Sequence, residues 1–409
     1  MGLTSTMHKR LNRRSLQSGA VSLFLVVFAT LLITVVTVSF LRTMIQDQLQ
    51  ATNLDLSQSA YDSAQAGVQD AQRALLRYLT ACNADATECD ALKSQLSQWG
   101  ECNGGLANIV DTSGPEVKVQ QSAGGDNLNQ AYTCVTIDMA TDDVIGSIGA
   151  NDTKLIPLIG TENFDTIQID WFTQEDVGST SKVIDVTAPR TPSPLMKNST
   201  TTLWKANRPS LLEAQLIQYG ENGFTLSDFN ANSSSESNAN TLFLYPACFG
   251  TGSPSPNNCD IRPSTQPFVL DARIDKEGMP VNVNCASMLS GGGYACSQIL
   301  TLPTPVGGGL RTAYLNLKPL YNGTHFRVKL LQGSTTPINP VSFSGVQASI
   351  DSTGRANNIF RRVETRVDLE AGAFPFPKSA LDITGNFCKN FFVTQNVDHY
   401  DTVGTACTP

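Results

Sequence analysis

Histidine and cysteine are the residue types in this chain best suited to chemistry, and their positions restrict what they can do. The 3 histidines stand at 8, 325 and 399. His399 lies in NVDHYDT between Asp398 and Asp401. A hard cation there would need several converging oxygens in ordered spacing, which DHYD is too short to supply. A surface loop is the better reading. His325 opens a strand-like run, while Asp126 in GGDNLNQ and the ATDDV stretch at 140–144 read as solvated turns. Gly291–Gly293 and Gly307–Gly309 lack the Lys and Ser/Thr of a phosphate-binding loop, and no G-x-S-x-G, H-E-x-x-H or dinucleotide fingerprint occurs. The expectation is therefore a protein without catalytic residues, metal ligands or cofactor, and not an enzyme.

The 10 cysteines make an even set that falls into close sequence pairs: Cys82/Cys89, Cys102/Cys134, Cys248/Cys259, Cys285/Cys296 and Cys388/Cys407. No C-x-x-C occurs, so disulfides fit better than a zinc site, with the connectivity taken from proximity alone. Disulfides place this part of the chain in an oxidising compartment.

The 409 residues carry 28 basic and 36 acidic side chains, and charged residues are 16% of the total, below the roughly 25% of ordinary globular domains. Ser, Thr, Asn and Gln take the solubilising role instead. Lys9, Arg10, Arg13 and Arg14 precede the first carboxylate, Asp47, so everything later is more acidic still. A nucleic-acid binder needs a clustered positive footprint, and none is implied here.

What positions these residues begins with an anchor. Ala20 to Leu41 reads AVSLFLVVFATLLITVVTVSFL, 22 residues without a charge, Gly or Pro. As a helix it is about 33 Å long, enough for the ~30 Å hydrocarbon core. The positive leader keeps the N-terminus in the cytoplasm and sends the rest of the chain outside, in agreement with the cysteines. A cleaved secretory signal has a shorter apolar core and a small-x-small site. This segment instead runs on without a turn signal. Ile45, Leu49, Thr52, Leu56, Ala60, Ala64, Val68, Ala71, Leu75 and Leu79 recur at three- and four-residue steps, one apolar stripe on a single helix from about Ala20 to Leu79. The stripe is too rich in Ala for a generic coiled coil.

The basic leader, LQSG at 16–19, AVSLFLVVF at 20–28 and SAYDSAQAGVQDAQRALL at 59–76 together resemble the N-terminal region of PilX-type minor pilins of type IV pili. The resemblance covers residues 9–80. It implies that a prepilin peptidase cuts after Gly19, leaving Ala20 as a new terminus open to N-methylation. It implies too that the helix docks among other pilin subunits. Major pilins carry a Glu at the fifth mature position, where this chain has Phe24. An acid in lipid is costly and is kept for a specific partner. Its absence resembles minor pilins that prime assembly or sit at a tip.

The remainder reads as strands, turns and stapled loops. A short amphipathic helix is expected over Ala86–Trp99. Strand-like runs follow at Thr133–Met139, Thr166–Phe172, Leu212–Tyr219, Phe268–Ile274, Arg311–Leu317, Phe326–Leu331 and Val363–Leu369. Asn322-Gly323 between the fifth and sixth predicts that those two pair as a hairpin. In the last run Val363, Thr365, Val367 and Leu369 alternate with Arg362, Glu364, Arg366 and Asp368, predicting an apolar face and a charged, solvated one. PRTPSPLMKNSTT (189–201), NANSSSESNAN (230–240) and CFGTGSPSPNNC (248–259) read as surface turns. Asn151, Asn198, Asn232 and Asn322 each open an N-x-S/T triplet, which carries no conclusion by itself.

These readings combine into an α+β protein: a long transmembrane and amphipathic helix packed on a disulfide-stapled, antiparallel β-rich head. The expected division is a cytoplasmic leader (1–19), a spine helix (20–80), a first head portion (81–188), a linker or loop (189–203) and a second, β-rich portion (204–409). The leading expectation is a minor pilin or assembly subunit, with other pilins, the membrane and a prepilin peptidase as partners and the head open to a surface ligand. A membrane-tethered binding or sensor protein is the alternative; an anchored extracytoplasmic hydrolase is a minor one.

Overall fold

A computed structural model describes residues 18–84, 86–95, 98–107, 109–112, 114–119, 129–177, 183–186, 204–219, 238–248, 259, 263–268, 280–289, 293–307, 312–333 and 339–369. Helix α1 runs unbroken over Ser18–Ala84, 67 residues, about 100 Å at the usual rise. No Pro occurs before Pro115, so nothing forces a kink. In its apolar stretch the hydroxyls of Thr30, Thr34 and Thr37 donate to carbonyls one turn back, which satisfies them without water. Among the described residues α1 is the helix long and apolar enough to cross a membrane. Leu23, Phe24, Leu31, Val36 and Phe40 are all exposed. Such a surface is stable in hydrocarbon or against other apolar helices, not in water.

Contacts divide the chain into two compact units. The first comprises Met1–Gln69, Val110–Cys134 and Ser352–Val363. Within it Ala60, Ser63 and Ala64 form a buried small-residue face of α1. The Ser352 hydroxyl donates to the carbonyl of Ala64 at 2.7 Å, and Arg361 Nε donates to Ser57 Oγ at 2.8 Å. Strand β1 (Val117–Lys118) pairs antiparallel with β2 (Gln130–Asp138). Arg355 holds Glu116 through Nε at 3.0 Å and Nη2 at 2.7 Å.

The second unit comprises Asp70–Ile109, Val135–Asp351 and Glu364–Pro409. Its strands are β3 (Val144–Ile148), β4 (Lys154–Pro157), β5 (Phe164–Trp171), β6 (Leu211–Tyr219), β7 (Asn238–Ala247), β8 (Thr265–Pro267), β9 (Val281–Asn284), β10 (Cys296–Val306), β11 (Thr312–Leu320), β12 (Thr324–Gln332) and β13 (Asn339–Val341). Two sheets form from them, in the orders β13-β12-β5-β10-β8, with β3 also on β12, and β4-β11-β6-β7-β9. The pairs β8/β10 and β7/β9 are parallel. Ile167, Ile169, Trp171, Phe326 and Val328 of the first sheet share one core with Leu212, Leu216, Leu244, Leu315 and Leu317 of the second. Alternation puts these residues on one face of each strand. The last strands, β14 (Gln347–Ala356) and β15 (Ile359–Asp368), complete a four-stranded sheet in the order β1-β2-β14-β15.

After α1, helix α2 (Ala86–Lys93) is tied back by the Cys82–Cys89 disulfide. Trp99 packs edge-on to Tyr78. Asn103 then exchanges backbone N–H and side-chain carbonyl bonds with Val135, at 2.8 and 2.9 Å. Two further disulfides join Cys248 to Cys259 and Cys285 to Cys296. Cys102 and Cys134 are also disulfide-bonded, while Cys388 and Cys407 lie outside the described residues.

One expectation is overturned. β11 and β12 flank Asn322-Gly323 yet do not pair: β11 lies between β4 and β6, and β12 between β3, β13 and β5. The connection carries the chain from one sheet to the other. Tyr321 takes a positive φ of 77°, and Asn322 Nδ2 donates to the carbonyls of Lys205 and Arg208 at 2.9 and 2.8 Å. Those bonds pin the corner to a different loop. Within β15, Arg362 and Glu364 are exposed as expected, but Arg366 and Asp368 are half-buried and ion-paired rather than fully solvated. They belong to the cavity described next. Of the expected run Phe268–Ile274, residues 269–274 lie outside the described residues; β8 ends at Pro267, just before it, and Phe268 is not in a strand.

Candidate functional site

A cavity of about 780 Å³ opens in the second unit where the start of β12 runs beside β3. His325 is its most chemically capable residue. It lies cross-strand from Ser147 on β3, with Phe326 facing Gly146 one step further on. A Cβ at Gly146 would stand 3.0 Å from the Phe326 ring, so the glycine lets the buried aromatic floor the cavity.

The short helix α3 (Gln174–Val177) delivers two carboxylates to the imidazole. Asp176 is 7% exposed, with Oδ1 2.8 Å from His325 Nδ1. The same carboxylate accepts from the His325 amide at 3.0 Å and from the Thr173 amide at 2.7 Å. An ionised carboxylate only accepts, so Nδ1 carries the proton and Nε2 is turned toward Glu175 Oε2, 3.3 Å away. A proton on Nε2 would make that contact an ion pair.

Across the cavity, Gln347 is committed on every side. Its side-chain nitrogen donates to the Ile145 carbonyl at 2.9 Å and to Asp368 Oδ1 at 2.8 Å. Its side-chain oxygen accepts from the Ile145 amide at 3.1 Å. Asp368 also pairs with Lys154, and Arg366 with Asp143 at 3.3 Å. Tyr294 donates its hydroxyl to the Phe326 carbonyl at 3.3 Å, and the Arg327 guanidinium lies 4.9 Å over its ring. Burial pushes the Tyr294 hydroxyl above its ordinary pKa; Arg327 acts in the opposite direction. Arg327 is itself fixed by Asp170, which is 2% exposed, at 2.8 Å.

Sequence reasoning noted His325 only as the start of a strand and assigned it no site, because its partner Asp176 lies 149 positions away and no local spacing links them. His8, His399 and Asp126 lie outside the described residues. Asp142 and Asp143 of the acidic turn bond Ser342 and Arg366. Among the described residues no group of three His, Cys, Asp or Glu side chains is placed to hold a metal ion.

The helix residues singled out in the sequence divide by position. Gly19 and Ala20 lie in the first turn of α1. Phe24, Ile45 and Leu49 are exposed and Leu56 is half-buried, whereas Ala60, Ala64, Val68, Ala71 and Leu75 are buried. The stripe thus changes character near Ser59. Leu49 and Leu54, with Ile359 and Arg361, line a shallow groove in the first unit.

Together these features define an α+β protein with one apolar N-terminal helix suited to a single membrane span and a disulfide-bonded, β-rich remainder. That architecture is generically pilin-like. Comparison with protein-family models, curated proteins and solved structures finds no match to the chain.

Proposed function

We propose that the protein is a minor pilin of the type IV pilus class, a non-catalytic assembly subunit that primes or tips a filament. The observation that carries this reading is α1: 67 unbroken residues, with an exposed apolar first part and a buried small-residue face from Ser59 onward. Packing alone can perform the role, since an apolar helix freed of lipid contacts buries equivalent surface among sister helices. The basic leader keeps the N-terminus cytoplasmic and the head extracytoplasmic. A prepilin peptidase would cut after Gly19, within the first turn of the helix. Phe24, 79% exposed, supplies no carboxylate to neutralise a neighbouring amino terminus. A subunit lacking that charge fits a first or last position better than a repeated one.

Intact-mass spectrometry of the protein from sheared, purified filaments tests this. A mass starting at Ala20, lowered by two hydrogens for each disulfide, is expected. Full-length protein confined to the membrane fraction would overturn the proposal and favour a tethered binding or sensor protein. The cavity beside His325 is the observation that supports that second reading.

A further inference from the structure

We infer that the cavity beside His325 is a binding site for a saccharide, gripped by Glu175, His325 and the Tyr294 ring. The inference goes beyond the pilus reading and does not depend on it, since the site lies wholly in the second unit.

Size comes first. A volume of about 780 Å³ falls within the roughly 300–1,000 Å³ of small-molecule sites. Charge then selects the ligand class. Lys154 is matched by Asp368, Arg366 by Asp143 and the imidazole by Asp176. An anion would have to break one of these pairs to reach a cation, and a metal would find no third ligand of the usual types among the described residues. A neutral ligand with many hydroxyls meets neither obstacle. It can donate to the Glu175 carboxylate, 80% exposed at the rim, and lay an apolar C–H face on an aromatic ring.

The polar groups are also set in advance. Asp176 fixes the imidazole tautomer, and Arg327 and the Phe326 carbonyl orient the Tyr294 ring. Little ordering remains to be done when a ligand enters, which favours affinity. Gly293, at φ +110°, has no atom within 4 Å of where its Cβ would stand. The approach beside Tyr294 is therefore open, and only a residue tolerant of that backbone keeps it so.

The test uses the full chain in nanodiscs, free of glycosidic detergent. It is screened on a glycan array and then titrated calorimetrically with the monosaccharide common to the strongest hits. Binding at millimolar or tighter concentration is expected. It should weaken about tenfold in Glu175→Gln, the loss of one charged hydrogen bond. In Ser147→Trp, where an exposed cross-strand position is filled, it should vanish. Both residues lie at the rim, and an unchanged melting temperature checks that the fold persists. No array signal, binding unaffected by both substitutions, or heat only with inorganic phosphate or calcium would each overturn the inference.

Discussion

Gly354 lies directly against the backbone of Ala64: a Cβ on the glycine would stand 2.2 Å from the Ala64 amide nitrogen and equally close to the Ala60 carbonyl oxygen. Neither obstacle is a side chain that can swing away. Gly354→Ala must lift strand from helix, at about 2–4 kcal/mol, and Ser352→Ala, which removes one hydrogen bond to Ala64, about 1 kcal/mol. Limited proteolysis of the reconstituted protein after α1 should rank the two in that order. Equal protection in Gly354→Ala and the parent would refute the close approach.

Asp176 gathers four donors: the Thr173 amide and hydroxyl and the His325 amide and Nδ1. Asp176→Ala leaves two of these as backbone N–H groups without their acceptor, a cost of about 3 kcal/mol. His325→Ala removes only one of the four bonds and should cost about half as much. Thermal melts of both variants decide it, and a larger loss for the histidine would show that the carboxylate does not organise the turn.

How far all this was legible in the sequence depends on range. Helix α1 could be read directly, because three- and four-residue periodicity and the absence of Pro are local properties of the chain. The strands around Ile167, Leu216 and Val328 were legible as strand-like runs, and the one around Val363 through alternation. Which strand pairs with which was not. Asn322-Gly323 announces a turn, but the bonds from Asn322 to Lys205 and Arg208 decide where it leads, and these join residues more than a hundred positions apart. The cavity was hidden for the same reason: His325, Asp176 and Gln347 come together only when β12, α3 and β14 are assembled. Arg366 and Asp368 looked like the wet side of a strand because alternation reports which residues share a face, and says nothing of the Asp143 and Lys154 waiting there.

Arg327 and Asp170 stand opposite each other across β12 and β5, joined at 2.9 Å through Nε and 2.8 Å through Nη2. Arg327→Leu strands a carboxylate that is 2% exposed; the expected cost is about 3–5 kcal/mol. Adding Asp170→Leu should recover most of it, since an apolar pair in the same space leaves no charge unpaired. Urea denaturation of the single and double variants, followed by tryptophan fluorescence, measures the coupling. Additive losses would mean that the two side chains do not act as a pair.

Glu213 is the carboxylate whose removal should strengthen the fold. It lies in β6, between β7 and β11, cross-strand from Lys318 and Phe243. Burial raises its pKa above the ordinary 4.5, and Lys318 offsets this only in part. As pH climbs past 4.5 the unfolded chain releases this proton first, so the folded state holds more protons and its contribution to stability falls with rising pH. The loss is complete once pH exceeds the folded value, and at neutral pH the ionised side chain is a standing cost. Glu213→Gln removes the titration. Its advantage over the parent should therefore be absent near pH 4 and grow toward pH 7, while Lys318→Met, which takes away the compensating charge, should widen the same dependence. Urea midpoints at the two pH values decide the matter: a Gln variant less stable than the parent at pH 7 would mean that the Lys318 attraction outweighs desolvation.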